Sequence, residues 1–141
     1  MSAEKRSAQA IRWFTTAQDD FQSAEILHKN GKFAQSCFFS QQAGEKAFKA
    51  LFFLKDLEPW GHSLVQLEKE FVSEGELSKA LQNFRKEFRE LDRYYIPTRY
   101  PDGLPGTTPA EAYGSAEAES AIASARKIVE FVNSHLYANK K

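Results

Sequence analysis

Charged side chains recur along one face of a helix predicted in the first half of the chain. Gln42, Glu45, Lys46 and Lys49 are spaced by three and four residues, which puts them on the same helical face. Such a row is usually a solvated edge, where Glu45 and Lys49 form an ion pair of roughly 0.2–0.5 kcal/mol. The less common alternative is that the row forms the charged wall of a ligand site.

A second group of candidates lies where a later helix runs into a stiff loop. Arg85, Arg89 and Arg93 form a ridge at i, i+4 and i+8, and Arg99 and Tyr100 follow in the loop. Arginine holds a phosphate through two parallel hydrogen bonds and keeps its charge, and tyrosine can stack on a base. Because loops on a rigid scaffold often carry function, these side chains are candidates for phosphate binding.

Acidic neighbours supply the alternative interpretation of the arginines. Glu87, Glu90, Asp92 and Asp102 can neutralise them locally. Tyrosines of the loop can equally belong to the core, and Tyr95 is expected there because it completes an apolar stripe at helical spacing.

Histidine and cysteine give no sign of a metal or catalytic centre. His28, His62 and His135 are not spaced as metal ligands, and no Glu-x-x-His occurs. His62 precedes a capping serine and is expected to shape a helix start. Cys37 is the only cysteine, so no disulfide can form within the chain. We therefore expect no catalytic residue, no metal and no cofactor.

Helical periodicity accounts for almost the whole chain. The second helix is apolar over most of its circumference, which indicates a central position or an interface. Capping boxes start at Ser63, Ser73 and Thr108, and the last has proline at the first helical position. The fold class is all-α, a compact up-and-down bundle of about five helices with a Pro-rich loop before the last helix. The predicted helices are 10–28, 33–57, 64–71, 77–95 and 115–137.

Length and charge limit the function further. The 141 residues predict a single domain, 1–141, and 19 basic residues balance 19 acidic ones. Balanced charge argues against a duplex DNA footprint. No apolar run reaches the roughly 18 residues of a membrane span, and the N-terminus lacks an apolar signal core. These features, with the single cysteine, lead us to expect a cytoplasmic protein.

Several stretches, taken in order, resemble the HEPN domain, the "higher eukaryotes and prokaryotes nucleotide-binding" family. They are A-x-x-D-F-x-S-A from Ala17, GKFAQSCFFSQQAGEKAFKALFF from Gly31, GHSL from Gly61, YIPTRYPDGLPG from Tyr95 and SAxxAIxxARKIVEFV in the last helix. The resemblance implies a nucleotide or RNA phosphate site, frequent dimers and, in bacteria, a nucleotidyltransferase partner. The TRYPD segment is similar to one in the domain that ends sacsin.

Many members of this family are ribonucleases marked by an arginine followed, after four to six residues, by a histidine. With Arg93 as that arginine, the histidine position falls at Thr98, Arg99 or Tyr100, and none is histidine. We therefore predict a nucleotide-binding module, a homodimer or a partner of a nucleotidyltransferase, rather than an enzyme. Its expected ligand-binding residues are Glu45, Lys49, Arg93, Arg99 and Tyr100. The alternatives are a metal-independent ribonuclease toxin, with Tyr100 or His62 as substitute base, and a structural dimerisation domain.

Overall fold

The computed structural model describes residues 2–71 and 75–137, and this part of the chain is built from helices without strands. None of these helices is long and apolar enough to cross a membrane. The predicted all-α bundle is confirmed. The α-helices are α1 (Ala3–Lys29), α2 (Phe33–Leu54), α3 (Leu64–Glu70), α4 (Glu76–Leu81), α5 (Arg85–Asp92), α6 (Pro109–Ala112) and α7 (Ser115–Leu136).

Helix α2 occupies the centre of the bundle, packed between α1 and α7 and also touching α3, α5 and α6. Most of its residues are buried, including polar ones such as Gln41 and Glu45. Gly44 permits the close approach of α5, since a Cβ there would lie 2.7 Å from Leu91 Cδ1. The apolar surplus of this helix is thus largely covered within the chain, and the predicted central position is confirmed.

Local sequence signals explain where several helices begin. The Ser63 and Thr108 side chains accept hydrogen bonds from Gln66 N and Glu111 N, as the capping boxes predict. The box that starts at Ser73 begins outside the described residues.

The predicted fourth helix over 77–95 is two helices. A 3₁₀ turn, Gln82–Phe84, separates α4 from α5, and α5 ends at Asp92. A 3₁₀ turn keeps a spacing of three residues, so the apolar stripe passes through it and gives no sign of the break. Because α5 ends before Tyr95, the prediction that Tyr95 belongs to the core is wrong. Tyr94 is buried, whereas Tyr95 remains partly exposed.

Asp92 joins the end of α5 to the start of α3. Its carboxylate accepts hydrogen bonds from Ser63 Oγ at 2.7 Å, Leu64 N at 2.7 Å and Val65 N at 3.1 Å. These N–H groups have no partner inside their own helix, and a carboxylate there also suits the helix dipole. The bonds fix the loop that carries His62 against the end of α5.

Candidate anion-binding site

The centre of the candidate site is a buried carboxylate on α2. Glu45 is 3% exposed, and its Oε2 lies 3.0 Å from Lys49 Nζ and 3.1 Å from His62 Nδ1. Its Oε1 accepts a hydrogen bond of 3.0 Å from Gln41 Nε2. A buried charge requires such partners, because an unpaired one is strongly destabilising.

The expectation of a solvated edge is wrong for Glu45 and Lys49. Lys49 is only 7% exposed. The reason is the central position of α2, which covers even its polar stripe. Lys46, one turn from Gln42, pairs instead with Asp20 of α1 at 2.7 Å.

His62 connects the buried Glu45–Lys49 pair to the protein surface. Its side chain is 53% exposed, and its ring stacks on Tyr95 at 4.6 Å between centroids with an angle of 17°. The backbone oxygen of His62 accepts a bond from Gln41 Nε2 at 3.2 Å. With Nδ1 turned to Glu45, the ring's other nitrogen, Nε2, is available to a ligand, because a carboxylate fixes the orientation of an imidazole.

Arg99 also packs on the Tyr95 ring. Its guanidinium carbon lies 4.5 Å from the Phe38 centroid, 4.7 Å from that of Tyr95 and 5.2 Å from that of Tyr100. Its Nε donates to the Tyr95 backbone oxygen at 2.9 Å. Aromatic faces stabilise the cation, and the single backbone bond leaves the Nη groups to bind an anion.

Tyr100 forms the rim of the site. It is 52% exposed, and its ring contacts the Arg99 guanidinium. An exposed aromatic face next to a cation suits a nucleobase attached to a phosphate. Four predicted residues, Glu45, Lys49, Arg99 and Tyr100, are therefore linked in one array through His62 and Tyr95.

Arg93 lines a pocket to which neither Lys49 nor Arg99 contributes. The pocket has a volume of about 340 Å³ and is also lined by Lys86, Arg89 and Glu90. Arg85, the first member of the predicted ridge, is instead held by Glu68, with Nε at 2.7 Å and Nη2 at 2.9 Å from its oxygens. Among the described residues, no contact joins Arg93 to Lys49 or Arg99.

Glu90 ties α5 to α7 beside Arg93. Ser120 Oγ, Ser124 Oγ and Tyr94 Oη donate to its carboxylate at 2.6, 2.7 and 3.2 Å. Burial acts to raise the pKa of Glu90, but these hydrogen bonds and the Arg93 charge outweigh it and hold the pKa below its ordinary value. Burial, and then the Glu90 charge, raise the pKa of Tyr94, so its hydroxyl stays protonated as a donor.

Sequence reasoning missed the contacts that join His62 and Tyr95 to the site. His62 was expected to shape the start of α3 or to serve as a substitute base, and its bond to Glu45 was not predicted. Two features of the sequence could have indicated this contact. His62 directly precedes the Ser63 cap, outside α3, and the charged stripe on α2 requires a partner if it is buried. No group of acidic, histidine or cysteine side chains suited to a metal occurs among the residues the structure describes.

These features define a class: a helical bundle with a buried carboxylate, a surface histidine and an aromatic-bound arginine. The HEPN domain model matches residues 10–135. The chain therefore belongs to the HEPN domain family.

Solved structures show the same fold. TT1696 from Thermus thermophilus has a TM-score of 0.78 and 36% sequence identity, over 89% of this chain and 96% of that one. ST0689, described as an archaeal HEPN homologue, has a TM-score of 0.74 and 28% identity, over 90% and 97%. An HEPN domain protein from Thermotoga maritima, tm0613, has a TM-score of 0.64 and 30% identity, over 89% and 97%.

A curated relative carries a functional name. "Putative toxin MJ1304" from Methanocaldococcus jannaschii is 25% identical over 126 residues, which are 85% of this chain and 83% of that protein.

Proposed function

We propose that this HEPN domain is a nucleotide-binding module that holds a phosphate at Arg99. The observation that carries the proposal is the exposed Arg99 guanidinium, which packs on the rings of Phe38, Tyr95 and Tyr100 and is bound through Nε to a backbone oxygen. His62 supplies a second contact when its ring is protonated on both nitrogens, because Nδ1 then donates to Glu45 and Nε2 to the phosphate. Tyr100 supplies a face for the base. Glu45 holds His62 in place, and Lys49 in turn holds Glu45.

The wider setting is part of the same proposal. Arg93 adds positive charge from its neighbouring pocket. The whole chain, 1–141, acts as one HEPN unit, as a homodimer or beside a nucleotidyltransferase. The TRYPD segment supports placing it in the subgroup with the domain that ends sacsin. A reducing, cytoplasmic setting fits the lone Cys37, whose pKa burial raises to about 12, so that the thiol stays protonated.

A thermal-shift screen of nucleotides tests the proposal directly. A ligand that binds only the folded state raises the melting temperature. Isothermal titration of the best nucleotide should then show a loss of about 10- to 150-fold for Arg99→Gln, the range for a charge-assisted hydrogen bond. Arg93→Gln should have a smaller effect, because among the described residues no contact joins Arg93 to Arg99. If no nucleotide raises the melting temperature, the result contradicts the proposal and favours the alternative of a structural dimerisation domain.

A ribonuclease is the second candidate, and the Glu45–His62 pair favours it. A carboxylate-oriented imidazole can take a proton from a 2′-hydroxyl, the role that the missing histidine of the R-x4-6-H motif leaves open. The M. jannaschii relative, with the word toxin in its name, is consistent with this alternative.

We nevertheless expect binding without cleavage. Metal-independent cleavage needs a base and an acid, each contributing typically ~10²–10⁴-fold, and His62 is the only histidine in the array. Purified protein should not cut structured or single-stranded RNA above background with chelator present, and overexpression should not be toxic. Cleavage that disappears in His62→Gln or Arg99→Gln, with the fold intact by circular dichroism, would instead establish the ribonuclease.

A further inference from the structure

A pocket on the α1–α2 face lies beside the buried Glu45–Lys49 pair. It is lined by Arg12, Trp13, Thr16 and Lys46 and has a volume of about 260 Å³. Ligand sites are usually about 300–1,000 Å³. The size therefore suits one planar ring system with a substituent rather than a dinucleotide.

The aromatic wall of this pocket is held in place from behind. The Trp13 ring packs on Phe53, with 5.2 Å between centroids and an angle of 31°. Lys49 Nζ lies 5.8 Å from the Trp13 centroid and 3.0 Å from Glu45 Oε2. An indole fixed in this way loses little conformational freedom when a second ring stacks on it, which favours binding.

The polar wall is also organised before any ligand arrives. Lys46 Nζ is held 2.7 Å from Asp20 Oδ2, and Arg12 Nη1 donates to Gln9 Oε1 at 3.1 Å. Thr16 Oγ1 donates to the Arg12 backbone oxygen at 2.9 Å.

The charges around the pocket leave one positive charge uncompensated. Asp20 offsets Lys46, and Glu45 offsets Lys49, whereas Arg12 bonds only to a neutral amide among the described residues. A ligand with a single phosphate group close to a ring matches this arrangement. Further phosphate groups, as in a triphosphate, would meet the Asp20 carboxylate without a further free cation among the residues that line the pocket.

We propose that the Arg12–Trp13–Lys46 pocket is a base-stacking subsite, which takes a nucleobase on the Trp13 face and its single phosphate group on Arg12. The proposal rests on the proposed function only for the class of ligand. Lys49, which touches both the Trp13 ring and Glu45, joins this subsite to the Arg99 site. Both a free nucleoside monophosphate and a nucleotide within single-stranded RNA have the required chemistry.

Tryptophan fluorescence gives a direct readout, because the chain has only two tryptophans, Trp13 and Trp60. Trp60 is 68% exposed, so Trp60→Phe removes its emission at little cost to the fold. In this background, AMP should quench Trp13 and saturate. Adenosine should bind more weakly, ribose 5-phosphate should leave the emission unchanged, and ATP should bind no more tightly than AMP.

Substitutions separate stacking from charge. Trp13→Leu should weaken AMP binding by calorimetry about 5- to 150-fold, the range for one stacked base, whereas Trp13→Phe should lose much less. Arg12→Gln should weaken AMP about two- to five-fold, as expected for an exposed charge pair, and leave adenosine unchanged. Lys5→Gln, an equal charge change on an exposed part of α1, is the control and should have no effect. Arg12→Gln keeps the test valid if Trp13→Leu fails to fold.

The outcomes distinguish this subsite from the Arg99 site. Trp13 quenching that persists in Arg99→Gln supports an independent subsite. If calorimetry detects AMP binding that Arg99→Gln abolishes while Trp13 emission never changes, the subsite is refuted and the proposed function stands. Equal binding of adenosine and AMP overturns the role of Arg12. A short oligoribonucleotide that quenches Trp13 at lower concentration than AMP identifies RNA as the source of the ligand, and the reverse order identifies the free nucleotide.

Discussion

At the scale of single residues, the site depends on a charge that water cannot reach. Glu45 is satisfied by three partners, Lys49, His62 and Gln41. Lys49 and Gln41 are neighbours on the same helix, whereas His62 arrives from a loop 17 positions later. The orientation of His62, which faces solvent, is therefore fixed by its bond to a buried carboxylate.

The Glu45–Lys49 pair should behave as a coupled unit. Lys49→Met leaves the buried carboxylate without its cation, and we expect a loss of about 3–5 kcal/mol in the free energy of unfolding, reduced to the extent that His62 compensates. The double variant Glu45→Gln/Lys49→Met should recover part of this loss, because both charges are gone. Urea denaturation of the single and double variants measures the coupling. Additive losses would show that the two side chains do not interact.

At the scale of elements, the sequence predicts helices well and their relative placement poorly. The periods of α1, α2 and α7 are visible because each keeps one stripe over many turns. The expected solvated edge on α2 failed because periodicity reports which residues share a face, not what covers that face. Asp92 was assigned to arginine neutralisation, but it caps α3, a contact between positions 28 residues apart that local patterns do not encode.

Asp92 should stabilise the bundle and orient the site together. Asp92→Ala removes the acceptor for two backbone N–H groups at the start of α3, and we expect a loss of about 1–3 kcal/mol in the free energy of unfolding. Nucleotide affinity should fall as well, because the loop carrying His62 loses its attachment. Asp19→Ala, an exposed aspartate on α1, is the control. A destabilised Asp92→Ala protein with unchanged affinity would show that His62 is held by Glu45 alone.

Glu90 should make the α5–α7 contact sensitive to acid. Its pKa is lowered in the folded state, so its contribution to stability is complete above the unfolded value of about 4.3 and is lost as pH falls towards the folded value. At neutral pH, Glu90→Gln should cost roughly 0.5–1.5 kcal/mol, with the charge contribution reduced by solvent screening. The difference from the parent should shrink at acid pH. Glu130→Gln, an exposed change on α7, should show no such pH dependence; an equal pH dependence in both would contradict the assignment.

At the scale of the whole molecule, we expect a dimer whose interface lies at the rim of the Arg99 site rather than along α2. Helix α2 is covered by its own chain, whereas Trp60, Ile96 and Tyr100 are 68%, 46% and 52% exposed close to the site residues His62, Tyr95 and Arg99. Apolar side chains grouped beside a site commonly mark a contact surface, and soluble oligomers are mostly two-fold dimers.

Light scattering at tens of micromolar, an order-of-magnitude range for a modest interface, should give twice the mass of the chain. Ile96→Glu should yield monomers, whereas Ile26→Glu, a similarly exposed isoleucine on α1, should not. If both variants remain dimers, the interface lies on another surface; if the parent is a monomer, the nucleotide site must be complete within one chain.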